Sequence, residues 1–188
     1  PSATIDESGR LISIYNVKEG KTPTGWEDVM SLPRRLWLNE ESNLNIAPVE
    51  EVKSLRYDKR EISNIEVESG DEVLLKEFTG KSIEIESVID VGTARETGFY
   101  VLRSKDGSEK TRISCFTSTN RWTGKQSLQI DVTESSNHPD VYARTPEIGP
   151  INLIDGNILK MRIFVDQSIV EVFANEQQCL TLRVYPTL

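Results

Sequence analysis

The sequence predicts an all-β protein, built as a two-sheet antiparallel β-sandwich, and three observations carry that prediction. Apolar and polar residues alternate at period two along stretch after stretch, the pattern of strands with one face on a core and one in water. Turn-forming residues separate these stretches roughly every 8–12 residues. Nothing from about residue 60 onward carries the periodicity of a long helix.

Taken in order, Gly9–Tyr15 reads as a strand after a Glu-Ser-Gly turn, and Lys18–Thr24 as a polar loop leading to Gly25-Trp26 and the strand-like Ser31–Leu38. Pro48 then opens a segment in which Val49, Val52 and Leu55 recur every third residue. Proline suits the first turn of a helix, so one short helix or 3₁₀ turn is expected there, as a hinge before the sandwich. In Ser82–Asp90, Ile83, Ile85 and Ile89 share a face opposite Glu84, Glu86, Val88 and Asp90. A strand at Phe99–Arg103 turns through Lys105-Asp106-Gly107-Ser108 into Lys110–Phe116, because Asp-Gly tolerates positive φ. Thr111, Ile113 and Cys115 share one face of that second strand, and Leu128, Ile130 and Val132 one face of Gln126–Val132. Glu134–Pro150, rich in Ser, Asn and Pro, is expected to be a long loop. After the Asp155-Gly156-Asn157 turn, Leu159, Met161, Ile163 and Val165 line a strand whose other face shows Lys160, Arg162 and Asp166. Asp166-Gln167-Ser168 turns the chain into Ile169–Phe173, and Leu180, Leu182 and Val184 close the pattern with Thr181, Arg183 and Tyr185 opposite.

The chain has 188 residues, 37% of them hydrophobic and 28% charged, a globular composition. Its formal charge of −8 argues against nucleic acid, whose phosphates demand a concentrated basic surface. No run approaches the roughly 18 apolar residues of a membrane span, and no basic-then-apolar leader opens the sequence. Pro1-Ser2-Ala3 reads as the middle of a longer polypeptide, which leaves location open with a lean towards secretion.

Few residues invite a catalytic reading. Cys115 and Cys179 lie far apart, without metal-site spacing, and are expected to be two small buried hydrophobes or a single bridge. His138, the one histidine, precedes Pro139 in the long loop and has no second histidine or serine elbow to work with. Asp166 and Glu171 are the one tempting carboxyl pair. The simpler expectation is that Asp166 accepts backbone N–H groups in its turn and Glu171 pairs with an Arg or Lys. Among the aromatics that could stack on sugar rings, Trp26 and Trp37 are expected to pack in the core or between domains. Trp122, in the polar run 118–125, is the better candidate for exposure, and Tyr142 completes the set.

Two blocks carry a family resemblance. The first runs Gly25-Trp26-Glu27-Asp28-Val29-Met30-Ser31-Leu32-Pro33-Arg34-Arg35-Leu36 and continues through Pro48-Val49-Glu50-Glu51 to Leu55-Arg56. The second runs from Leu159 through Phe164-Val165-Asp166-Gln167-Ser168-Ile169-Val170-Glu171-Val172-Phe173 to Arg183-Val184-Tyr185-Pro186-Thr187. With Gly98–Arg103 and the Asp106-Gly107 hairpin, they resemble glycoside hydrolase family 32, the invertase, inulinase and levanase group. The resemblance implies a five-bladed catalytic propeller whose last strands occupy residues 1–38, a connector at 39–58 and a C-terminal β-sandwich at 59–188. The implied enzyme is a retaining β-fructosidase acting on sucrose or fructans, with the propeller as this module's partner and self-association as a further expectation. The family's nucleophile, stabiliser and acid/base lie in Asp-Pro and Glu-Cys strings that do not occur here. The chain alone is therefore expected to be inactive, with no catalytic residue, metal ligand or cofactor of its own. Tyr15 and Asn16 stand where family members carry a substrate-contacting aromatic, commonly Gly-Trp, and Gln167 replaces an arginine. The alternative is a stand-alone carbohydrate-binding or structural sandwich.

Overall fold

A computed structural model describes residues 1–187. Three four-stranded antiparallel sheets and one two-stranded ribbon make up the molecule. The N-terminal sheet is formed by β1 (Ser2–Ile5), β2 (Leu11–Ile14), β5 (Arg34–Leu38) and β6 (Leu44–Pro48), in that spatial order. Between β2 and β5 the chain detours through β3 (Asn16–Val17) and β4 (Val29–Met30), which pair as a small ribbon. A 3₁₀ helix at Glu50–Leu55 and a strandless surface stretch then lead to β7 (Ser82–Asp90). The sandwich follows as β8 (Glu96–Val101), β9 (Thr111–Phe116), β10 (Gln126–Asp131), β11 (Glu147–Ile151), β12 (Ile158–Asp166), β13 (Ile169–Ala174) and β14 (Gln178–Arg183). One of its sheets runs β11-β10-β9-β8 and the other β14-β13-β12-β7.

The alternation that predicts these strands also builds the core. Ile113 and Cys115 of β9, Leu128 and Ile130 of β10, and Leu159, Met161, Ile163 and Val165 of β12 are all buried in one cluster with Val170, Val172 and Leu182. Registry keeps like faces together: Ile163 lies opposite Ile85 on one side and Val172 on the other. The Asp106-Gly107 hairpin forms as expected, with Asp106 accepting from the hydroxyls of Ser104 and Ser108 and from the Ser108 N–H. Those bonds hold the Asp106 carboxyl down at about 2.

Several local expectations are corrected. The end of the supposed long loop 134–150 is the edge strand β11, which includes Gly149 and Pro150. A proline is tolerated there because an edge strand leaves one row of N–H groups unpaired. Pro48 closes β6 instead of opening the 3₁₀ helix, and of the three residues spaced along that turn Val49 and Val52 are buried while Leu55 is exposed. Strands β1 and β6 lie outside the strands expected from sequence; they are short and pair with β2 and β5.

Candidate functional site

The seam where the N-terminal sheet meets the outer face of β13 and β14 holds the two most buried ion pairs among the described residues. Strand β13 is buried on both faces: Val170, Val172 and Ala174 point to the sandwich core, whereas Glu171 and Phe173 face the N-terminal sheet. Glu171 is only 2% exposed. Its Oε2 lies 2.7 Å from Nη2 of Arg34, itself 5% exposed, and its Oε1 accepts the Leu32 N–H at 2.7 Å. The Thr181 hydroxyl completes the triangle, accepting from Arg34 and donating to Glu171. The Arg34 guanidinium also stacks 4.7 Å from the Tyr15 ring and 5.5 Å from Phe173.

A second buried pair lies nearby. Arg183, 4% exposed, donates to Glu19 at 3.0 Å, and the Tyr185 hydroxyl donates to the same carboxylate while accepting the Gly20 N–H at 2.9 Å. Burial, with the Glu19 hydrogen bond adding to it, pushes the Tyr185 hydroxyl up to about 12. Backbone bonds from Thr22 to Asp140 and from Tyr142 to Gly20 tie the β3–β4 detour to the sandwich. Glu171 and Glu19 are thus each held by a guanidinium and a hydroxyl, and together they fasten the N-terminal segment to β13 and β14.

The residues singled out from sequence fall as follows. Tyr15 is half-buried under Arg34, with its N–H donating to the Ser31 hydroxyl at 3.0 Å. Asn16 is exposed, its side-chain amide donating to Asp28 at 2.8 Å. Glu171 pairs with an arginine as expected. Asp166 does not take backbone donors: it lies exposed at the end of β12 and accepts the Ser82 hydroxyl at 3.0 Å, because β7 runs alongside and places that hydroxyl next to it. With Glu171 buried in the seam and Asp166 on an open turn, the two carboxyls form no pair. Cys115 on β9 is buried in the core between the sheets, and Cys179 on β14, in the opposite sheet, faces the seam beside Phe173, which leaves both as free thiols. Burial raises them to about 11 and about 12 respectively.

Trp26 does not pack in the core of this chain. It sits in the β3–β4 detour, 69% exposed, with the Arg183 guanidinium 5.4 Å from its ring. Trp37 on β5 is half-buried beside Arg35, and Trp122, at the tip of the β9–β10 connection, is 80% exposed. His138 is exposed, with Nδ1 accepting the Asp140 N–H. Among the described residues no group of three or more His, Cys, Asp or Glu is placed to hold a metal ion. Glu19, Arg34, Thr181, Arg183 and Tyr185 were not singled out from sequence as site residues. Glu171, an acid inside the apolar run Ile169–Phe173, was the one visible sign of the seam.

The family profile described as "Glycosyl hydrolases family 32 C terminal" matches residues 51–188. The chain belongs to glycoside hydrolase family 32. Among curated relatives of this family 32 chain, an acid beta-fructofuranosidase of Vicia faba is 31% identical, the match covering 87% of this chain and 30% of the relative. A levanase of Bacillus subtilis (strain 168) is 29% identical over 86% of this chain and 24% of its own length. A 6(G)-fructosyltransferase of Asparagus officinalis is 28% identical over 87% of this chain and 32% of its own. The family 32 chain thus spans about a third or less of the length of these relatives. Its fold matches that of fructan 1-exohydrolase IIa from Cichorium intybus with a TM-score of 0.84 and 20% identity, over 99% of this chain and 42% of that one.

Proposed function

We propose that this chain is the C-terminal part of a β-fructofuranosidase-like enzyme that cleaves or transfers fructosyl units of sucrose or fructans by a retaining mechanism. In this reading residues 1–38 end the last blade of the catalytic propeller, 39–58 connect, and 59–188 form an accessory sandwich. Its role is to hold that blade in place, stabilise the enzyme and shape its oligomer, while the catalytic carboxylates lie on other parts of the protein. The observation that carries the reading is the buried Arg34–Glu171–Thr181 triangle, which fastens a four-stranded antiparallel sheet of blade-like order to the sandwich. Tyr15 and Asn16 are the two residues of this chain proposed to line the fructosyl pocket, with Arg34 stacked on Tyr15 and Asp28 holding Asn16.

Native mass spectrometry and a sucrose and inulin cleavage assay on one sample test this. A species of 21.3 kDa bound to a larger chain and releasing fructose supports the accessory role. Fructose release by the lone chain would overturn the claim that its carboxylates are not catalytic. A lone, folded, inactive chain that binds inulin would favour an independent carbohydrate-binding module, the reading to which the exposed Trp26 and Trp122 lend support.

A further inference from the structure

Next to the Glu19–Arg183 pair, the end of β14, the Gln167-Ser168 turn, the β3–β4 detour and the loop around His138 border an open pocket of about 260 Å³. Lys21, Lys81 and His138 lie in its wall beside Gln167, Ser168 and Tyr185, and no carboxylate does, although the chain carries 30 acids against 22 Lys and Arg. The neighbouring carboxylates are already held: Glu19 by Arg183 and Tyr185, and Glu109 by the N–H groups of Asn137 and Thr187 and the Thr187 hydroxyl. Asp140 lies 3.8 Å from His138 Nδ1, on the exposed side of the loop.

Donors, by contrast, are left over. Among the described residues neither Lys21 nor Lys81 is in an ion pair, and Lys21 is held with its ammonium 5.1 Å over the Tyr185 ring. Unpaired lysines occur elsewhere on this surface, but here two share one concavity without an acid in its wall. The Ser168 hydroxyl accepts from Arg183, which leaves its own proton to give. Because His138 Nδ1 accepts a backbone N–H, the proton of the neutral ring sits on Nε2. Cations in a concave wall concentrate positive potential, and ammonium, hydroxyl and imidazole N–H groups together suit a multiply accepting oxyanion.

We propose that this pocket binds a phosphate group, either as free phosphate or on a sugar phosphate. The proposal does not depend on the fructosidase reading, and its test does not use fructose release. Inorganic phosphate is titrated calorimetrically into the intact protein at low ionic strength, with sodium chloride at matched ionic strength as control and glucose 6-phosphate as a second arm. Saturable binding of phosphate but not chloride is expected. Lys21→Gln with Lys81→Gln should weaken it roughly five- to tenfold, the combined effect of two partly exposed charge contacts. Lys81→Glu alone, an exposed change that leaves the fold untouched, should weaken it further than Lys81→Gln. Tighter binding of glucose 6-phosphate than of phosphate would identify an esterified group as the ligand, and weaker binding the free anion. Absence of saturation at millimolar phosphate, equal heats from chloride, or lysine variants with unchanged affinity would each overturn the proposal.

Discussion

Arg34 and Glu171 show how much a single buried pair can demand of its surroundings. Each ion loses its hydration, and only the Leu32 N–H, the Thr181 hydroxyl and the two flanking rings compensate. Removing one partner leaves the other charged and dry. Glu171→Ala and Arg34→Ala should each lower the unfolding free energy by about 3–5 kcal/mol in urea titrations. The double change Arg34→Leu, Glu171→Leu should cost clearly less than the sum of the single substitutions, since no charge is stranded. Additive losses would show that the pair is not coupled. Gln167 offers the opposite case. It is the first residue of the two-residue loop between β12 and β13 and has φ 53°, a conformation that costs a side-chain-bearing residue more than glycine. Gln167→Gly should raise stability by up to about 1 kcal/mol, and a fall in the urea midpoint would contradict that account.

Among the elements, β8 shows why a glycine can be needed inside a strand. A Cβ at Gly98 would lie 1.9 Å from the Ile113 carbonyl oxygen and 3.0 Å from Ser114 Cα, both backbone atoms of the partner strand β9. Backbone cannot step aside as a flexible side chain can. Gly98→Ala should therefore loosen the β8–β9 pairing and destabilise the sandwich by about 1–3 kcal/mol. Amide exchange should speed up in β8 and β9 first, while β12 and β13 stay protected. Uniform loss across both sheets would mean that the two sheets unfold as one unit. Gly149 on edge strand β11 makes a useful contrast, because the atoms nearest to a Cβ there belong to the movable Gln178 side chain.

For the molecule as a whole, three groups report burial at once, and they sit in different layers. Cys115 is in the sandwich core, while Cys179 and Tyr185 are at the seam. Their ordinary values of 9.0, 9.0 and 10.0 are raised in the folded protein to about 11, 12 and 12. Folding thus favours the protonated form of each. Their contribution is fully present below about pH 9, where folded and unfolded chains are both protonated, and is lost as pH rises through 9 to 12, where the unfolded chain ionises first. Urea midpoints should be insensitive to these groups below pH 9 and decline above it. Replacing both cysteines by valine should postpone the decline towards pH 10, the onset for Tyr185 alone. An unchanged onset would show that the thiols do not contribute.

Composition and periodicity by themselves determined the all-β class, most sandwich strands and the identity of their core faces. A strand with one wet face writes its orientation into alternate residues, as β9, β10 and β12 do. The blocks around Val29–Leu36 and Leu159–Asn175 were enough to suggest the family. Other features were decided only by tertiary structure. Strand β11, which contains Gly149 and Pro150, became a strand by pairing along β10, and β1 and β6, too short for alternation to single them out, by pairing with β2 and β5. Within this chain Trp26 has no layer of the sandwich packed over it, which hydrophobicity alone cannot reveal. The pairing of Glu171 with Arg34 joins residues 137 apart in sequence. An acid in an apolar run signals only that some partner is needed, and which cation supplies it depends on how the sheets stack.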